Sequence, residues 1–223
     1  MKNLLIAPST DPCPIKDLTE YAKLVEKSGA DWLHCDIMDG KFVPKRSFDY
    51  LVFAFLRKAT NLFLDVHLMV NEPMKVVKDY VKYGANSITI HYESFSDKVE
   101  LINALQTIRG MGVKVGLSIK PDTPVQAVEN LLRYIDILLV MSVYPGKSGQ
   151  EFIQDSLIKI SYLSKKKAEL GLDILIEVDG GVNFTNASII SVSGADVLVS
   201  GSCIYNAKDK KKAIETLKGK DRL

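Results

Sequence analysis

Short apolar runs rich in β-branched side chains alternate along this chain with longer stretches whose apolar positions recur at helical spacing. The runs predict strands at Leu4–Ala7, Trp32–Asp36, Leu62–Val66, Ser87–His91, Lys114–Ile119, Ile137–Met141, Ile174–Asp179 and Val197–Ser200. The stretches between them predict helices at Leu18–Ser28, Phe48–Lys58, Met74–Tyr83, Val99–Arg109, Val125–Leu132, Gln154–Leu170, Asn186–Val192 and Lys210–Lys218. Strict alternation of strand and helix points to a parallel sheet. A local repeat supports it: Ser28-Gly29-Ala30-Asp31, Tyr83-Gly84-Ala85-Asn86 and Ser193-Gly194-Ala195-Asp196 each close a helix and lead into a strand. Glycine suits the left-handed position just past a helix end.

Eight such units without a linker favour one α/β domain over residues 1–223, a TIM (β/α)8 barrel. The alternative, an open doubly wound sheet, calls for a glycine-rich fingerprint after the first strand. Ile6-Ala7-Pro8-Ser9-Thr10-Asp11-Pro12 is not one.

Composition narrows the function classes. The chain has 223 residues, 47% hydrophobic, with a net charge of +2 and its basic residues dispersed. The single basic run, Lys208 to Lys212, reads as a solvated helix face rather than a nucleic-acid patch. No apolar run approaches the roughly 20 residues that span a bilayer, and none resembles a secretory signal. Three widely spaced cysteines, Cys13, Cys35 and Cys203, fit a reduced, cytoplasmic protein without disulfides.

In a barrel of this type the active site lies at the C-terminal strand ends, and the chain's unusual polar residues fall there. Its only histidines, His34, His67 and His91, each lie at the end of an apolar run. Asp36 follows His34, Asp65 precedes His67, and Asp179 ends the seventh strand. His34 and Asp36 are two residues apart and share a face, whereas Cys35 points away, toward the helices. A lone strand-end histidine is commonly just packed. Two imidazoles (His34, His67) and two carboxylates (Asp36, Asp179) converging on one mouth suit a divalent cation such as zinc, iron, manganese or cobalt. His91 has Glu93 two residues on as a bonding partner and reads as a supporting residue.

Glycine-rich turns follow the late strands: Pro145-Gly146-Lys147-Ser148-Gly149-Gln150, Gly180-Gly181 and Gly201-Ser202. Such turns let backbone N–H groups approach an anion. Barrels frequently bind phosphate on the loops after strands seven and eight.

With these segments in view, the chain resembles the ribulose-phosphate 3-epimerases over nearly its whole length. The likeness rests on Ile6-Ala7-Pro8-Ser9, His34-Cys35-Asp36-Ile37-Met38-Asp39-Gly40, Phe42-Val43-Pro44, Asp65-Val66-His67-Leu68-Met69, Val140-Met141-Ser142-Val143, Gly149-Gln150-Glu151-Phe152 and Glu177-Val178-Asp179-Gly180-Gly181-Val182. The resemblance implies one divalent metal on His34, Asp36, His67 and Asp179, with Asp36 and Asp179 as the two acid/bases of an epimerisation through an enediolate. It implies substrate contacts from Ser9 and His67. It also implies a phosphate held by Gly146, Lys147, Ser148, Gly149, Gly180, Gly181, Gly201 and Ser202, and an apolar surround of Met38, Met69 and Met141. A phosphorylated ketose is the implied partner, and a dimer or larger homo-oligomer the implied assembly.

The departures from the family pattern are all in loops: Thr10-Asp11-Pro12-Cys13-Pro14, Lys45, Tyr144 and Lys147-Ser148. They leave room for another ketose phosphate, such as a hexulose 6-phosphate, or for a non-catalytic sugar-phosphate binder. A barrel decarboxylase would carry Asp-x-Lys-x-x-Asp, and Met38 stands where its lysine belongs.

Overall fold

A computed structural model describes residues 4–220. Its strands are β1 Leu5–Pro8, β2 Trp32–Met38, β3 Phe63–Met69, β4 Ser87–His91, β5 Lys114–Ile119, β6 Ile137–Met141, β7 Leu175–Asp179 and β8 Val197–Ser200. All pair in parallel, in the order β1-β8-β7-β6-β5-β4-β3-β2. The ring closes where Ser9 bridges His34 and the Thr10 N–H donates to the His34 carbonyl at 2.9 Å. The fold is the expected (β/α)8 barrel.

The recurring Gly-Ala-Asp/Asn joint has a physical reason. Gly29, Gly84 and Gly194 sit at φ of 87°, 94° and 120°. The Asp or Asn two residues later then accepts a backbone N–H from the neighbouring strand. Asp31 takes Ile6 at 2.8 Å, Asn86 takes Leu64 at 2.7 Å and Asp196 takes Ile176 at 2.8 Å. Each joint thus ends a helix and pins the start of an adjacent strand.

The outward strand residues form the main apolar core with the helices. The helix Lys98–Gly110 is typical: Asp97 caps it by accepting from Glu100 N–H, and Leu101, Ala104, Leu105 and Ile108 bury one stripe. Fully burying each such leucine or isoleucine contributes about 1.5–3 kcal/mol. Inside the barrel, Ala7, Trp32, Ile137, Val197 and Val199 plug the N-terminal end. Above this plug the interior is polar: His34, Asp65, Ser87, Thr89, Ser118 and Glu177 are all fully buried.

Two predicted helices differ. Val125–Leu132 is two 3-10 stretches, Val125–Ala127 and Glu129–Tyr134. The buried residues Val125, Val128 and Leu131 recur every third position, which a three-residue turn stacks on one side and an α-helix does not. Met74–Tyr83 divides into a 3-10 turn at Pro73–Lys75, led by Pro73, and a short helix, Val77–Lys82. A further short helix, Ser202–Asn206, follows β8.

Candidate active site

Period-two parity on β2, β3 and β7 turns His34, Asp36, His67 and Asp179 into the barrel mouth, where their ligand atoms lie within 4.8 Å of one another. Cys35 points the other way, into the outer apolar core. His34 Nε2 is 3.3 Å from His67 Nδ1, 3.4 Å from Asp36 Oδ1 and 3.9 Å from Asp179 Oδ2. His67 Nδ1 is 3.5 Å from Asp36 Oδ1 and 4.0 Å from Asp179 Oδ2. A tetrahedron with bonds of about 2.0–2.2 Å has edges of about 3.3–3.6 Å, so these separations fit a single small cation with only slight contraction.

The outer bonds point the same way. His34 Nδ1 bonds Asp65 Oδ2 at 2.6 Å, and Asp65 in turn accepts from Ser87 Oγ at 2.5 Å. Ser9 Oγ donates to Asp36 Oδ2 at 2.6 Å. His67 Nε2 meets His91 Nε2 at 2.9 Å. Each of these outer bonds engages the atom turned away from the centre, the arrangement that metal-bound histidines show. Two nitrogen lone pairs 3.3 Å apart repel unless a proton or cation lies beside them. Without a cation, burial disfavours a charged His34, but Asp36, Asp65 and Glu177 outweigh it and raise its pKa well above the usual value.

The two carboxylates are driven apart. Burial opposes the charge on Asp36, yet the His34 and His67 rings hold its carboxyl far below the usual range. Burial and then the Asp36 charge push Asp179 up to about 7. Two neighbouring carboxyls whose pKa values are pushed in opposite directions are the pairing that an acid and a base in one site require.

One open cleft of about 520 Å³ takes in Ser9, Asp36, Met38, Met69, Met141, Gly146, Lys147, Ser148, Gly149, Asp179, Gly180, Gly181, Gly201 and Ser202. His34 and His67 lie fully buried beneath it. The glycine turns are tightly built. A Cβ on Gly180 would come within 2.4 Å of Val143, and one on Gly181 within 2.5 Å of the Phe152 backbone. Gln150 Nε2 braces the Gly146 loop by donating to the Tyr144 and Lys147 carbonyls at 2.7 and 2.8 Å.

A model of the ribulose-phosphate 3 epimerase family matches residues 5–205. The chain is 42% identical over 220 residues to the chloroplastic ribulose-5-phosphate-3-epimerase of Arabidopsis thaliana, covering 99% of this chain and 78% of the relative. It is 41% identical over 215 residues to the ribulose-phosphate 3-epimerase of Bacillus subtilis, covering 96% and 98%. The chain belongs to the ribulose-phosphate 3-epimerase family. Among solved structures, the 3-hexulose-6-phosphate synthase of Salmonella typhimurium superposes with a TM-score of 0.70 at 16% identity, over 97% of each chain. KGPDC from Streptococcus mutans gives 0.73 at 13% identity, over 98% of this chain and 97% of the other. At such identity these two share the fold alone.

Within this epimerase-family barrel, three features escape a reading of the sequence. His91 bonds not only Glu93, at 2.9 Å, but also His67. Glu177, two residues before Asp179 on the same face, sits 3.4 Å from His34 Nδ1, and burial with the Asp65 charge pushes its carboxyl up to about 8. The loop departures pair in space: Lys45 forms an ion pair with Asp11, and Tyr144 donates to Asp122 at 2.6 Å.

Proposed function

We propose that this epimerase interconverts D-ribulose 5-phosphate and D-xylulose 5-phosphate, with one divalent metal ion at the barrel mouth. The observation that carries the reading is that Asp36 and Asp179 converge with the His34 and His67 nitrogens at one end of a cleft whose other end is glycine turns. The relatives named above bear the name of this reaction.

The C3 proton of such a ketose is acidified by the neighbouring C2 carbonyl. Ionised Asp36 removes it, leaving an enediolate, and protonated Asp179 returns a proton to the other face of C3 and inverts the centre. The opposite substrate epimer exchanges the two roles. When bound by His34, Asp36, His67 and Asp179, a divalent cation supplies Lewis-acid stabilisation of the negative charge that develops on the C2 oxygen. Ser9, bonded to Asp36 Oδ2, fixes the angle of the base. Met38, Met69 and Met141, all buried at the cleft, keep water from the carbanion and present a polarisable wall. The Gly146–Gly149, Gly180-Gly181 and Gly201-Ser202 turns receive the phosphate, with Lys147 at the rim.

The test is incubation with D-ribulose 5-phosphate in deuterated water, with bound metal measured on the same sample. Deuterium at C3 together with xylulose 5-phosphate and about one metal per chain is the expected result. Binding without exchange would instead leave a sugar-phosphate binder. Faster exchange into a hexulose 6-phosphate would move the substrate to that ketose.

A further inference from the structure

His67 is the cluster member whose proton placement is least secured by its own neighbours. His34 bonds a carboxylate directly, at Asp65. His67 instead abuts another imidazole, His91, with Nε2 to Nε2 at 2.9 Å. Either ring of such a pair can be the donor, and only one choice leaves His67 Nδ1 with its lone pair toward Asp36 and Asp179. The choice is made two steps away. His91 Nδ1 lies 2.9 Å from Glu93 Oε2. Glu93 Oε1 is taken by two donors, the Lys120 backbone N–H at 2.8 Å and the Thr123 hydroxyl. A carboxylate held there only accepts, so His91 keeps its proton on Nδ1 and offers Nε2 as the acceptor. His67 then donates from Nε2.

We propose that Glu93 and His91 are positioning residues that set the tautomer of His67, and so make its Nδ1 a metal ligand. This rests on the metal-site reading above and extends it to two residues outside the cleft. Packing locks the relay: His91 stacks on His67 with centroids 5.0 Å apart and lies tilted against Phe42 at 4.7 Å, while Lys120 Nζ caps the Phe42 ring at 3.9 Å. His91 is fully buried, so no bulk water competes for its nitrogens.

The substitution Glu93→Gln tests the direction of the chain at constant shape. The Lys120 N–H cannot turn away, so the glutamine carbonyl must stay on the Lys120 and Thr123 side. Its NH2 group then faces His91 Nδ1 as a donor. His91 must accept there and move its proton to Nε2, and His67 must move its own to Nδ1, where the metal belongs.

Zinc affinity is measured by chelator competition on wild type and Glu93→Gln, with side-chain 15N spectra of the zinc-loaded wild type. With three histidines in the chain, the spectra are readily assigned. The expected results are a 10–100-fold weaker zinc complex for the variant, the loss usual for such outer partners, and a wild-type His91 protonated on Nδ1. A variant that binds zinc as tightly as wild type overturns the relay alone. Should the variant not fold, a wild-type His91 protonated on Nε2 overturns it equally. A wild type that takes up no zinc overturns the metal-site reading, and the relay with it.

Discussion

Glu177→Gln in metal-free protein should gain stability relative to wild type as pH rises. Glu177 is wholly buried on β7, and no protein hydrogen bond satisfies either carboxyl oxygen among the described residues. Burial, and then the Asp65 charge, raise its pKa from 4.5 to about 8. A carboxyl with a raised folded-state pKa carries no penalty below its unfolded value. It destabilises progressively as pH climbs from there to the folded value, because the unfolded chain sheds a proton that the folded one must keep. Linkage between those two pKa values puts the loss on the order of 3 to 4 kcal/mol between pH 5 and pH 8. For a chain of this size 1 kcal/mol moves Tm by about 2–4 °C, so the loss corresponds to roughly 7–14 °C. Glutamine keeps the shape and cannot ionise, so its Tm lacks this fall. The assay is a thermal melt of chelator-treated wild type and variant at half-unit pH steps. The Tm gap should widen from pH 5 to pH 8 and level off above. A gap independent of pH would refute the assignment of Glu177 as a neutral, protonated group.

Asp36→Asn and Asp179→Asn should each lower kcat by about 10²–10⁴-fold or more with the fold intact by circular dichroism; an active variant of either kind would sink the two-acid mechanism. Gly180→Ala places a methyl 2.4 Å from Val143 at a φ of 120°. It should lower stability by more than about 1 kcal/mol in a denaturant titration, and an unchanged midpoint would mean that this turn gives way easily. Lys147→Ala should raise KM for the phosphorylated substrate by up to about fivefold with kcat held, the scale of an exposed ion pair. An unchanged KM would show that the lysine points only to solvent.

Much of the site is legible because strand parity is a strong rule. Once His34 and Asp36 are on one strand two residues apart, both must face the interior, and Cys35 cannot. The same rule places Asp65 with His67 and Glu177 with Asp179, since each pair is also two residues apart. What hides Glu177, and the bond from Asp65 to His34, is the expectation that a barrel interior is filled by branched apolar side chains. A buried acid is tolerable with partners or when it stays neutral: Asp65 bonds Ser87 and His34 on other strands, and Glu177, 3.4 Å from His34 Nδ1, keeps its proton.

Glu93 is legible as the partner of His91, but not what holds it in place. It lies past the end of β4 in a 3-10 turn, Tyr92–Ser94, where parity no longer applies. Its role depends on Lys120 and Thr123, 27 and 30 residues away. The same limit holds for the Asp11–Lys45 pair, which joins loops from two strands. Local rules fix which face a strand residue shows. Which loop tip meets which is fixed only once all eight strands close, because the barrel brings neighbouring loops together irrespective of their own sequence. The ligand set is a property of single strands and can be read one strand at a time. The direction of its protons is a property of the closed ring.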